Sequence, residues 1–313
     1  MLQRIRTRLL GLELPPQYIG RYRVLRERGR GGSGRVLECL DEKHERHVAI
    51  KVMDSPERSA AAVRREASAT AAVVHPRVVR VHESGVHEGR PFIVMQLVDG
   101  IPLRVWQRRD LPWTELVRVY AEVGRGLSAA HAAGVVHRDI KPDNVIIDAD
   151  GNPTIVDFGL AQPSPHDPPT ETAVTASHHS QNPGTPGYVA PEQLRGERAD
   201  EKSDQYALAA SLFEALYGTL PYPGRDAFGI MLAVHRGELR GAPKGHPAPR
   251  RLHAVLKRAL SRNPPERWES VAALTDALNA VLLAEQTATR RRWRVLFAVA
   301  LTGGLLGGAW LAS

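Results

Sequence analysis

The sequence predicts an α+β fold in two parts, a small β-rich half followed by a larger helical half. Two observations carry this: short runs rich in β-branched residues, punctuated by glycine, up to Val98, and apolar residues at helical spacing beyond Gly100. YRVLRERG from Tyr22, RVLECLD from Arg35 and HVAIKVM from His47 read as three strands of an antiparallel meander. An alanine- and arginine-rich helix is expected over Glu57–Val74, then strands near Val78–Glu83 and Phe92–Val98. Amphipathic helices are expected at Thr114–Ala133, Lys202–Tyr217, Ala227–Arg236, Leu252–Arg262 and Ser270–Ala284. Between them, Gln162–Pro183 is rich in Pro, Ser, Thr and His and reads as a long surface loop.

With 313 residues, 42% hydrophobic and 24% charged, the chain has the composition of a globular protein long enough for one large domain or two lobes. Disordered and fibrous classes are excluded. The formal charge of +8 raises nucleic acid as a partner, but arginines run through the whole chain and no basic run interleaved with aromatics precedes residue 290, so nucleic-acid binding is not expected. A lone cysteine, Cys39, excludes an internal disulfide and fits a reducing compartment. At the N-terminus, Leu2, Ile5, Leu9 and Leu12 fall at helical spacing among Arg4, Arg6 and Arg8, which fits a helix that caps the domain or one lying on a membrane surface. Residues 1–21 form an N-terminal extension.

Five segments carry chemistry. In GRGGSGRV, Gly29, Gly31 and Gly34 let backbone approach phosphates, although an ordinary glycine-rich hairpin fits the segment equally well. Arg35-Val36 continues into a strand, which excludes a dinucleotide fold and a P-loop. Seventeen residues beyond Gly34, Lys51 stands among apolar Ala49, Ile50 and Val52; a buried cation needs a carboxylate, and Glu66 on the next helix is the natural one. VVHRDIKPDNVII places a dense polar centre between apolar runs: Asp139 can accept a hydroxyl proton, Lys141 can neutralise a moving phosphoryl group and Asn144 offers a carbonyl to a hard cation. Then come IVDFGLA, with Asp157 eighteen residues after Asp139, and GTPGYVAPEQ.

At this point the sequence resembles the protein kinase family, and within it the bacterial eukaryotic-like (Hanks-type) serine/threonine kinases. HRD followed by K-x-x-N, DFG and APE stand in the family's order from residue 22 to about 284. The resemblance implies a two-lobe kinase fold, residues 22–99 forming the N-lobe and 100–284 the C-lobe. It implies transfer of the ATP γ-phosphate to protein Ser/Thr hydroxyls, with Asp139, Lys141 and Asn144 catalytic. The ATP contacts it implies are Gly29, Arg30, Gly31, Gly32, Ser33, Gly34, Val36, Ala49, Lys51, Glu66, Gln96, Val98 and Ile146, with Met95 before the hinge. Asn144 and Asp157 would hold Mg2+, or Mn2+ in its place. Asp204 would steady the catalytic loop, and Arg267 would pair with Glu192.

The segment between Asp157 and Glu192 holds Thr170, Thr172 and Thr175, candidate sites of autophosphorylation between two copies of the chain, because phosphate there can pair with Arg138. His166, His178 and His179 read as solvated loop histidines. At the far end, 285–294 is a basic linker with Arg290, Arg291, Arg292 and Arg294, and 295–313 carries no charge. Nineteen residues span about 28 Å as a helix, enough to cross a bilayer, and the arginines keep the kinase domain on the cytoplasmic side of an inner membrane. A nucleotide-binding pseudokinase scaffold at the membrane is the alternative, and the presence of Lys51, Glu66, Asp139, Asn144 and Asp157 together weighs against it.

Overall fold

A sheet buried on both faces shapes the first half of the computed structural model, which describes residues 16–31, 34–54, 60–158, 186–288 and 290. Strands β1 (Tyr18–Ile19), β2 (Tyr22–Gly31), β3 (Gly34–Asp41), β4 (Arg46–Val52), β5 (Val81–His87) and β6 (Arg90–Gln96) form an antiparallel sheet in the order β1-β2-β3-β4-β6-β5. Leu37 and Cys39 lie opposite Ile50 and Val48, and the four share one buried face with Tyr22, Phe92 and Val94. Burial pushes the Cys39 thiol up to about 12. One residue out of phase, Ala49, Met53, Ile93 and Met95 face the other side, where helix α1 (Ala60–Ala71) packs Val63 and Ala67 against them. The period of two therefore assigns Lys51, between Ile50 and Val52, to the face of Ala49.

The strands at Tyr22, Arg35 and His47 fall where expected; β5 and β6 are displaced from theirs. Val78 instead bridges Ile155, and the Val79 N–H donates to the Ile155 carbonyl at 2.9 Å, so that stretch ties the sheet to the second half. β5 and β6 then turn through Glu88 and Gly89, both at positive φ, a two-residue hairpin geometry whose twist suits the strands. The helix expected from Glu57 is described from Ala60, since 55–59 lie outside the described residues.

The second half is built round one buried helix. Helices α2 (Leu103–Trp106), α3 (Trp113–Ala132), α4 (Pro191–Leu194), α5 (Glu201–Tyr217), α6 (Ala227–Arg236), α7 (Arg250–Ala259) and α8 (271–288) accompany a small sheet, β7 (Ile101–Pro102), β8 (Val145–Ile147) and β9 (Pro153–Ile155). α5 starts at Asp200, whose side chain accepts the N–H groups of Lys202 and Ser203, and stops at Gly218 with φ +70°. Between those caps, Tyr206, Leu208, Ala210, Leu212 and Phe213 are all buried, and α3 contributes Val117, Val119, Tyr120, Val123 and Leu127 to the same core. A helix apolar on most of its faces is a core helix. The β-rich and helical halves make the two lobes. Among the described residues no helix is long and apolar enough to cross a membrane. The expected spanning segment 295–313, the N-terminal helix and the loop histidines lie outside the described residues.

Candidate active site

The glycine segment closes β2 and opens β3, with Gly29 opposite Val36 and Gly31 opposite Gly34. Nothing lies within 4 Å of a Cβ built on Gly29 or Gly31, so the fold itself does not demand glycine there; close approach of a bound group does supply a reason. Gly34 is required by the sheet, since at φ +136° its Cβ would stand 2.1 Å from the Val52 carbonyl oxygen. Gly32 and Ser33 lie outside the described residues. Arg30 points to solvent and pairs with Glu27 at 3.5 Å.

Lys51 is buried on β4, and its Nζ lies 3.1 Å from Asp157 Oδ1. This differs from the expected partner: Glu66, on α1, stands with its Oε1 3.9 Å from an Arg138 nitrogen. A buried ammonium requires a carboxylate, and here Asp157 answers it from across the cleft while Glu66 turns to the catalytic-loop arginine. Val36 packs against the cluster that holds Ala49, and Ile146 is half-buried on β8. Met95 is buried opposite Ala49. The Gln96 N–H donates to the Arg80 carbonyl at 2.9 Å, so a contact with adenine there falls to the Gln96 carbonyl; Val98 is half-buried two residues on.

The catalytic loop hangs from α5. Asp204, buried, accepts the backbone N–H of His137 on Oδ2 and of Arg138 on Oδ1, each at 2.7 Å, and His131 Nε2 stands 2.8 Å from Oδ2. These bonds hold Arg138 at φ +69°, a region that costs a non-glycine residue free energy. Burial keeps the His137 pKa below its ordinary value, which favours the neutral ring; Nε2 then donates to the Val156 carbonyl and Nδ1 accepts the Asp139 N–H at 3.2 Å. Phe158 packs on that ring with centroids 4.7 Å apart.

Asp139 itself stays 43% exposed, with Lys141 Nζ 2.6 Å from its Oδ2. Asn144 Nδ2 donates to the Asp139 carbonyl at 2.8 Å and to Oδ2 at 3.1 Å, which directs the amide oxygen away from Asp139. The Val156 N–H donates to the Asn144 carbonyl, so Asp157, also at positive φ (+62°), is carried beside Asn144. An amide oxygen and a carboxylate are hard donors that fit magnesium. The three residues expected to be catalytic and both expected metal ligands are therefore brought together; Thr170, Thr172 and Thr175 lie outside the described residues.

Two supports extend the site. Arg267, fully buried, donates from both terminal nitrogens to the two Glu192 oxygens at 2.8 and 2.7 Å, and its Nε donates to the Ser261 carbonyl. Burial raises the Glu192 pKa, but Arg267 outweighs it and the net shift is downward. The second support was not anticipated. Arg104 on α2 donates to Asp143 at 2.8 and 2.9 Å and to the Tyr188 hydroxyl at 3.0 Å, and Tyr188 donates to Glu214. Gln193 adds a bond from Nε2 to the Arg138 carbonyl. The legible signal was Glu214, a carboxylate on a helix otherwise buried, which needs a partner.

A family model described as the protein kinase domain matches residues 22–279. The chain belongs to the protein kinase family. Serine/threonine-protein kinase PknE of Mycobacterium tuberculosis is 34% identical over 270 residues, 84% of this chain and 46% of PknE. PknA of the same organism is 36% identical over 275 residues, 84% of this chain and 61% of PknA. This kinase-family chain thus spans about half the length of the curated relatives it matches. Among solved structures, a mutant form of the M. tuberculosis PknI kinase domain superposes with TM-score 0.64 at 26% identity, covering 86% of this chain and 99% of that one. Rad53 1-466 in complex with AMP-PNP, at 22% identity and TM-score 0.67, covering 82% of this chain and 64% of that one, shares the fold.

Proposed function

We propose that the chain is an ATP-dependent protein serine/threonine kinase whose catalytic domain spans residues 22–284. The observation that carries this reading is the half-exposed Asp139 carboxylate held between Lys141 and Asn144, with Asp157 alongside and buried Lys51 reaching it. Asp139 accepts the proton of a substrate hydroxyl as its oxygen attacks the γ-phosphorus of ATP; the bond to the β-phosphate oxygen breaks and ADP leaves. Lys141 offsets charge on the moving phosphoryl group, while Lys51 and the open glycine backbone orient the phosphates. Asn144 and Asp157 would hold magnesium, or manganese with the same oxygen preference, which supplies positive charge to the phosphate oxygens.

Residues 295–313 are proposed to anchor the chain in the inner membrane with the domain on the cytoplasmic side, supported by 19 uncharged residues after four arginines. Retention in the pellet after alkaline carbonate extraction tests this. Thr170, Thr172 and Thr175 are proposed to be phosphorylated between two copies of the chain, and phosphopeptide mass spectrometry of active protein tests that. The reading as a kinase is tested by phosphate incorporation from labelled Mg-ATP into a generic basic protein beside an Asp139→Asn variant. Incorporation that disappears in the variant supports it; ATP binding without incorporation in either would instead favour a nucleotide-binding scaffold.

A further inference from the structure

The chain's basicity is not evenly distributed. Residues 236–262 hold eight Arg or Lys and a single Glu, and 290–294 hold four Arg; the remainder holds 30 Arg and Lys against 33 Asp and Glu. The positive charge of the whole protein therefore resides in one stretch of the C-lobe and in the segment that follows α8.

All eight cations of that stretch are exposed: Arg236, Arg240, Lys244, Arg250, Arg251, Lys257, Arg258 and Arg262. α7 explains half of them. Its Leu252, Leu256 and Ala259 are buried against the core, which turns Arg250, Arg251, Lys257 and Arg258 outward. Internal pairing accounts for little of this charge: Glu238 takes Arg236 at 3.7 Å, and Glu285 takes Arg251 at 3.5 Å. That second contact, with a bond from Arg251 to the Val281 carbonyl, sets α7 beside the last turns of α8. Soon after α8 the sequence enters its uncharged run at Val295, following Arg290, Arg291, Arg292 and Arg294.

We propose that the exposed cationic face of α7 and of the loop before it rests on an anionic lipid surface, fixing the C-lobe against the membrane. The proposal rests on the reading of 295–313 as a membrane anchor, which brings α8 and therefore α7 to the bilayer. Charge complementarity selects the occupant: acidic lipid headgroups attract basic residues within a Debye length, by about fivefold in affinity for each one near the surface. A neutral bilayer offers this face nothing.

The test uses the full chain in nanodiscs of neutral phosphatidylcholine and in discs containing 30% phosphatidylglycerol, with lysine acetylation read by mass spectrometry. Lys244 and Lys257 should label several-fold more slowly on the anionic discs, with the difference removed by 0.5 M salt, while Lys43 on the β3–β4 turn labels equally on both. Arg240→Gln combined with Arg250→Gln, both exposed and remote from the cleft, should restore much of the labelling without changing the melting temperature. Equal labelling of Lys244 and Lys257 on both discs, or protection that salt does not touch, overturns the proposal. Should the chain wash from vesicles in alkaline carbonate, the anchor reading fails instead. Sedimentation with anionic but not neutral vesicles at low salt would still support the face, and sedimentation with neither would overturn it.

Discussion

On the C-lobe side of the cleft, Asp204 holds the catalytic loop by accepting two backbone N–H groups, and Asn144 is fixed by a bond to a backbone carbonyl. On the N-lobe side, Lys51 and Glu66 are positioned by side-chain ion pairs to Asp157 and Arg138. Backbone-directed bonds inside a packed core have one geometry and are lost only with the fold. Side-chain ion pairs join rotatable groups and so constrain geometry less than bonds to the backbone. The groups proposed to transfer the phosphoryl are thus built in, whereas the groups proposed to orient ATP are set by which lobe-to-lobe pairs form.

The sharpest way to break this comparison is Asp139→Asn. Phosphate incorporation should fall by about 10²–10⁴-fold while ATP affinity and melting temperature hold, since the side chain is half-exposed and only its charge is removed. A drop in stability of similar rank would mean the loop depends on Asp139 for its shape. Next in size, Arg267→Leu leaves the Glu192 carboxylate buried without its bidentate partner and should cost about 3–5 kcal/mol in urea unfolding. Glu66→Gln should behave in the opposite way: activity falls by about tenfold, chiefly through a higher KM for ATP, with a smaller loss of stability than Arg267→Leu because its contact to Arg138, at 3.9 Å, is long for an ion pair. If Glu66→Gln unfolds the protein as readily as Arg267→Leu, the two sides do not differ as described.

The smallest effect lies at the N-lobe rim. Arg26, then His47, hold the Glu38 carboxyl down to about 2 from an ordinary 4.5, burial opposing them. A carboxyl depressed in the folded state stabilises fully above its unfolded pKa and loses that contribution as pH falls through the folded one. Glu38→Gln should therefore lower stability by about 1 kcal/mol at pH 7. That difference should shrink between pH 4.5 and 2, as read by thermal melts.

Much of the site was legible because the residues that carry it are local in sequence: Asp139, Lys141 and Asn144 meet within one loop, and Asp157 follows one short hairpin later. Apolar neighbours marked Lys51 as buried, and α6 falls on its expected residues. What was not legible is non-local. The partner of Lys51 depends on how α1 sits against the catalytic loop, a distance that no spacing encodes. Arg104, Asp143, Tyr188 and Glu214 come from four separate elements and meet only where the 142–144 turn packs on α2 and the 186–188 turn packs on α5. β5 and β6 slipped from their expected bounds because Val78 and Val79 are apolar for a different reason, joining Ile155 instead of extending the sheet.

The buried thiol of Cys39 has a practical corollary for spectroscopy. It is wholly inaccessible on β3, and its ionisation is suppressed, so alkylating dyes and spin labels will react with it slowly compared with any surface thiol. Cysteines introduced at Val74, 82% exposed, and Leu283, 65% exposed, would then carry a label pair on opposite lobes in the natural background. Interlobe distances in solution become measurable without first removing the native residue.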